Sequence, residues 1–260
     1  MTDLASRTVS ALRTHHDALT DLVQQLSDDQ LAAPSGAEDW TLADVLSHLG
    51  SQAEIMLPRL AAAVAGEEPG EADNQAVWDR WDAASPREQA EGFVEHDQRY
   101  VEAVEVLTAE QVASVQVDLG FLPQPVPVIV PLGMRLNEVA QHAWDVRVGL
   151  DPDAEVDDAA AVAVLDHLAG PLAFLLGFTA KPDRLATSAV VGAGTHSIAI
   201  VDETVSVRPG TDAATATFFG RPGALVRLIG GRLGPERTPA DVRVEGQVTL
   251  DDLRAVFPGF

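Results

Sequence analysis

The apolar residues of this 260-residue chain change their spacing once, and that change limits the folds open to it. As far as about residue 150 they recur near a period of 3.6, the mark of helices that bury one face. Past residue 185 they fall into short β-branched runs broken by Gly, Pro and Asp: ATSAVVGAG, HSIAIVDE, TVSVRPG, ATATFFG and DVRVEG. Helices first and strands later imply an α+β chain of two parts, residues 1–151 and 152–260. Pro152 and the acidic run to Asp158 mark the boundary. The second part opens with a long apolar helix over about 157–176, with Gly170-Pro171 as its kink or break.

Within the first part, residues 3–26 read as an amphipathic helix. His15 and His16 lie in it; neighbours on a helix point about 100° apart, so the two do not share a metal, and both are read as solvated. Residues 27–39 form a loop, with a short turn over 28–31. Trp40-Thr41-Leu42-Ala43-Asp44 is a helix start, with Thr41 as N-cap, Asp44 as the reciprocal carboxylate and Trp40 stapled onto Val45. That helix runs to about Val64 and stops before Gly66, burying Leu42, Val45, Leu46, Leu49, Ala53, Met56, Leu60 and Val64. A polar loop follows over 66–74. The pattern is helical again over 75–107, with Ser85-Pro86 as a break or a second start. Thr108 caps a short turn. Residues 114–130 hold three prolines and read as extended or irregular chain leading into a helix at Pro131. Two short helices, RPGALVRLIGGRL and TLDDLRAVF, accompany the later strands.

The helix from Pro131 carries the residues with chemistry. Its buried stripe is Leu132, Leu136, Val139, Ala143, Val146 and Leu150, and Glu138, His142, Asp145 and Gly149 lie in a line beside it. Glu138 and His142 are at i and i+4, so their side chains can converge on one point. Read one way, they are an exposed ion pair; read another, they are half of a divalent-metal site. His48, at the edge of its own helix's stripe, is either a locally satisfied histidine or the missing ligand. His96 is read as solvated and His167 as structural.

Composition narrows the partners. The formal charge is −23, with 17 basic residues against 40 acidic ones, which disfavours nucleic acids and anionic membranes. Lys181 is the only lysine. No apolar run reaches the roughly 18–20 residues that span a bilayer, and the N-terminus lacks a secretory pattern, so a soluble cytoplasmic protein is expected. There is no cysteine. Any metal must therefore be held by His, Asp and Glu, and any thiol must come from outside.

WTLADVLSHLG with His48, and RLNEVAQHAWDVRVGL with Glu138 and His142, together resemble the mycothiol-dependent maleylpyruvate isomerase family. That family belongs to the DinB-like four-helix-bundle metalloproteins, and the resemblance covers most of residues 1–150. TATFFGRPGALVRLIGGR and the final VRVEG look like the small α/β domain that follows in these proteins. The resemblance implies a divalent metal, usually zinc, bound by His48, Glu138 and His142. It also implies mycothiol as cofactor, a small-molecule substrate, and isomerisation or S-transfer by a metal-activated thiolate. A carboxylate on substrate or cofactor needs a cation, for which Arg221 and Arg232 are the candidates by position. Two other functions stay open: a hydrolase using metal-bound water, and a non-catalytic metal-binding or regulatory protein. A monomer or homodimer is expected.

Overall fold

A computed structural model describes residues 3–70 and 73–259. Residues 71 and 72 of the polar loop expected over 66–74 lie outside the described residues, as do residues 1 and 2 of the N-terminal stretch. The chain divides into two compact units, Met1–Ala154 and Glu155–Phe260.

The first unit is helical. Four long helices dominate it: α1 (Asp3–Gln25), α3 (Leu42–Ala65), α5 (Pro86–Glu105) and α7 (Ile129–Val148). Each packs against two of the others, α1 and α3 both contacting α5 and α7. Short helices α2 (Asp28–Leu31), α4 (Asn74–Asp82) and α6 (Ala109–Ser114) fill the connections. The helix starts follow local chemistry. Thr41 accepts from the Asp44 N–H while the Asp44 side chain accepts from the Thr41 N–H, and Ser85 with Glu88 and Thr108 with Gln111 do the same. Such caps stabilise a helix by about 1 kcal/mol each. Gly66 ends α3 in the left-handed conformation, at φ 71°. Pro86 sits in the first turn of α5, so Ser85-Pro86 starts a new helix. The proline-rich stretch contributes a two-stranded antiparallel pair, β1 (Gln116–Val117) and β2 (Val126–Pro127).

The core of this unit comes from the expected stripes, with exceptions. Leu42, Val45, Leu46, Leu49, Ala53 and Leu60 of α3 are buried, whereas Met56 and Val64 are only half-buried. Leu150 lies past the end of α7 and is exposed. A side chain at Gly50 would collide with the Trp81 ring, so glycine there allows α3 to receive this large residue. The largest correction concerns the histidines. His15 and His16, expected in solvent, are each buried, and His16 is hydrogen-bonded to the buried Asp97 of α5. A polar residue on a helix packed against two neighbours reaches protein before it reaches water. His96 is half-buried as well, edge-on to Trp81.

The second unit holds a five-stranded sheet in the order β5-β4-β3-β6-β7, with β3 (Ala189–Ala193), β4 (His196–Val201), β5 (Thr204–Pro209), β6 (Ala216–Phe219) and β7 (Arg243–Gly246). Only β3 and β6 are parallel; the other neighbours are antiparallel. Along β4 the residues His196 to Ile200 are all buried, so both faces of the central sheet are covered. The edge strands carry charged residues and a proline, Arg208 and Pro209 on β5, Arg243 and Glu245 on β7, which blunt edge pairing. Helices α8 (Asp158–Leu168), α9 (Leu176–Thr179), α10 (Pro222–Ile229) and α11 (Leu250–Val256) complete the unit. The long helix expected over 157–176 stops at Leu168. A turn at Gly170-Pro171 and a 3-10 turn over Ala173–Leu175 then replace it, because proline has no N–H to continue the ladder. His167 is fully buried rather than on a polar face. Among the described residues no single helix is long and apolar enough to cross a membrane.

Candidate metal centre

His48 of α3 and Glu138 and His142 of α7 come together in the first unit, each offering one ligand atom, with those atoms all within 4.8 Å of one another. His48 Nε2 lies 3.1 Å and His142 Nε2 3.5 Å from the same oxygen, Glu138 Oε2. The site is not sealed: the His48 and Glu138 side chains keep 30% and 33% of their surface, while His142 is nearly buried.

The surroundings set the state of each ligand. Asp145, fully buried one turn after His142, places Oδ2 2.8 Å from His142 Nδ1. A carboxylate there accepts a hydrogen bond from the Nδ1–H and turns Nε2 towards Glu138; loss of the Nε2 proton would free that nitrogen's lone pair for a metal. Burial pushes the Glu138 carboxyl up, but hydrogen bonds and charge from His142 and His48 outweigh it and hold the group well below the usual carboxylate range. The centre thus combines an ionised carboxylate with two imidazole nitrogens turned towards it. One divalent cation can occupy the positions that protons would otherwise have to fill, so the donor set fits a metal. Three such donors would leave at least one coordination position of a bound metal open, the arrangement of catalytic rather than structural sites.

A loop forms one wall. Trp40 was expected to staple onto Val45; its ring centroid lies 5.2 Å from that of His48 and 5.9 Å from that of His142, nearly parallel to the latter. The loop is pinned to the ligand-bearing helix, since the Gly36 N–H donates to the Asp145 carbonyl at 2.7 Å. A Cβ at residue 36 would stand 2.6 Å from Val148 Cγ1 and 2.8 Å from Asp145 Cα, so only glycine permits this approach. Asp145 therefore anchors the loop through its backbone and His142 through its side chain.

Beside the candidate ligands runs a polar chain that sequence reasoning missed. Gln52 Nε2 is 2.9 Å from His48 Nε2 and 3.2 Å from Glu138 Oε2. Arg135 Nη1 donates to Gln52 Oε1 at 3.1 Å, and Arg135 Nη2 donates to Asp97 Oδ1 at 2.6 Å. Asp97 Oδ2 in turn lies 2.9 Å from His16 Nδ1. One signal was available: Gln52 sits four residues after His48 and so shares its helix face.

Arg221 and Arg232 lie in the second unit. Arg221 forms ion pairs with Glu155 and Asp158, which raise its already high pKa. Arg232 donates to the Gly230 carbonyl at 3.1 Å, just past α10.

A family model described as the mycothiol maleylpyruvate isomerase N-terminal domain matches residues 12–147. No curated protein gives a significant match. Two crystal structures share the fold: one of a mycothiol-dependent maleylpyruvate isomerase, at a TM-score of 0.63, and one of a histidine-to-alanine mutant, at 0.62. Each is 15% identical in sequence, and each match covers 95% of this chain and 98% of the other.

Proposed function

The chain belongs to the mycothiol maleylpyruvate isomerase N-terminal domain family, and from that premise we propose that it is an enzyme of mycothiol-dependent isomerisation or S-transfer. His48, Glu138 and His142 would hold a divalent metal ion, zinc first among the candidates. The observation that carries this reading is the convergence of the three ligand atoms within 4.8 Å, with Asp145 turning His142 Nε2 inward. A bound zinc ion with an open position lowers the pKa of a coordinated thiol and supplies a thiolate at neutral pH. The chain itself has no cysteine, which agrees with a thiol supplied as a small-molecule cofactor.

The reaction is addition of that thiolate to an alkene conjugated with a carbonyl. The sulfur pair forms a C–S bond and the π pair moves towards the carbonyl as an enolate. Rotation follows about the new single bond, and return of the pair expels the thiolate. S-transfer shares the first step and ends with protonation of the enolate carbon. The protein's part is to orient His142 through Asp145 and to present the flat Trp40 ring beside the two imidazoles. Arg221 and Arg232 are our candidates for the cation that receives a carboxylate; Arg221 would have to exchange Glu155 and Asp158 for it.

Elemental analysis of the purified protein beside His142→Ala tests the centre. Near-stoichiometric zinc in the parent and its loss in the variant are expected. Absence of metal in both, even after incubation with excess zinc, would leave the family likeness as one of fold. Activity on electrophilic alkenes that disappears without mycothiol separates this reading from hydrolysis by metal-bound water.

A further inference from the structure

We propose that Gln52 recognises an anionic oxygen, carboxylate or enolate, on the ligand bound at the open side of the metal centre. This rests on the reading of His48, Glu138 and His142 as metal ligands. Neither the family match nor the ligand set assigns Gln52 a role; its own hydrogen bonds do.

The amide can face only one way. An arginine guanidinium has donors and no acceptor, so the atom 3.1 Å from Arg135 Nη1 must be the amide oxygen. Arg135 cannot swing aside, because it is 4% exposed and bonded to Asp97, itself 1% exposed. The amide nitrogen is thereby turned towards the ligands. Its two hydrogens face Glu138 Oε2 at 3.2 Å and His48 Nε2 at 2.9 Å, the latter accepting through its lone pair when the ring proton is on Nδ1. That lone pair is also the one a metal would take. Metal binding and the Gln52–His48 hydrogen bond exclude each other, whereas the bond to Glu138 survives on the carboxylate's remaining lone pairs. The loaded centre would then leave one Gln52 N–H without a protein acceptor. Such a group favours an acceptor over a donor, and a charged acceptor over a neutral one.

The substitutions that test this keep the scaffold. Gln52→Glu retains an oxygen opposite Arg135 and the side-chain length, and replaces the N–H group with a second carboxylate oxygen. Gln52→Met removes both polar ends. Zinc affinity of the full chain is measured first, by competition with a chelator. Maleate, as a small unsaturated dicarboxylate probe, is then titrated calorimetrically into the zinc-loaded parent and variants. All three proteins are expected to retain zinc. Maleate affinity is expected to fall by about tenfold to a hundredfold in Gln52→Met, the range for a hydrogen bond to a charged group, and further in Gln52→Glu. Equal maleate affinity in all three, or none in the zinc-loaded parent, would overturn the role of Gln52 and leave the metal centre standing. Loss of zinc in the variants alone would overturn it too, making Gln52 a residue that positions the ligands. Failure of the parent to bind zinc would instead remove the metal reading, and this inference with it.

Discussion

Two clusters of imidazole and carboxylate lie in the same helical unit and differ in how completely the protein surrounds them. His16, Asp97 and Arg135 are each at most 4% exposed, and each Asp97 oxygen has its own partner, His16 Nδ1 at 2.9 Å and Arg135 Nη2 at 2.6 Å. His48, Glu138 and His142 crowd two imidazole nitrogens onto one carboxylate oxygen and keep a path to solvent. In the first cluster the carboxylate is fully paired within the protein. The second has coordinating atoms in surplus over the protein groups that could satisfy them, and that surplus, rather than the residue types, distinguishes a site from a support. Gln52 and Arg135 connect the two, so the closed cluster aligns a group at the rim of the open one.

The comparison breaks most visibly at Asp97. Removing one partner of a buried ion pair leaves the other charge uncompensated and costs about 3–5 kcal/mol. Asp97→Ala should lose that much in chemical denaturation. His48→Ala, at a partly exposed position, should lose far less stability while losing metal. Equal losses in the two variants would mean the clusters do not differ in kind.

Asp145→Asn gives a smaller effect and acts only on the open cluster. The amide oxygen can still accept from His142 Nδ1, but the negative charge behind the ring is gone. Zinc affinity should fall by about tenfold to a hundredfold, the usual result of altering a group that orients a metal-bound histidine. Unchanged affinity in a chelator competition would remove Asp145 from the centre.

The smallest effect is a slope. Burial pushes the Asp97 carboxyl up, but the charge of Arg135 and the hydrogen bonds from His16 and Arg135 bring it below its ordinary value. The folded pKa is therefore lower than the unfolded one, about 3.9. The stabilisation is complete above the unfolded value and is lost as pH falls through the folded one. Denaturation midpoints should drop on acidification below about pH 4, and Asp97→Asn should flatten that drop. Parallel pH profiles for parent and variant would show that Asp97 is not the group responsible.

Much of this architecture was legible in the chain, and the limits were physical. Thr41 with Asp44, Ser85 with Pro86, and Gly66 act within one helical turn, so their signals are local and the structure places the helix ends accordingly. The five β-branched runs likewise appear as the strands of one sheet. Glu138 and His142 share a face by spacing alone, whereas His48 was one of two readings of a lone histidine until the family resemblance favoured it as a ligand. What stayed hidden depends on packing between distant segments. His16 and Asp97 are 81 residues apart, and Arg135 is 38 from Asp97. A polar residue that will meet a buried partner reads the same as one that will meet water. Trp40 was legible as a cap neighbour, but its place beside two imidazoles required α7 to arrive from far along the chain.

Asp145 has a consequence for redesign of this centre. Its carbonyl anchors the loop through Gly36, and its carboxylate orients His142. Rim shape and ligand geometry therefore share one fastening. A loop grafted from a relative will transfer cleanly only if it brings a glycine at residue 36. A library that varies residue 145 keeps the backbone anchor and changes only the group that orients His142, whereas a side chain at residue 36 would press on both Asp145 Cα and its carboxylate.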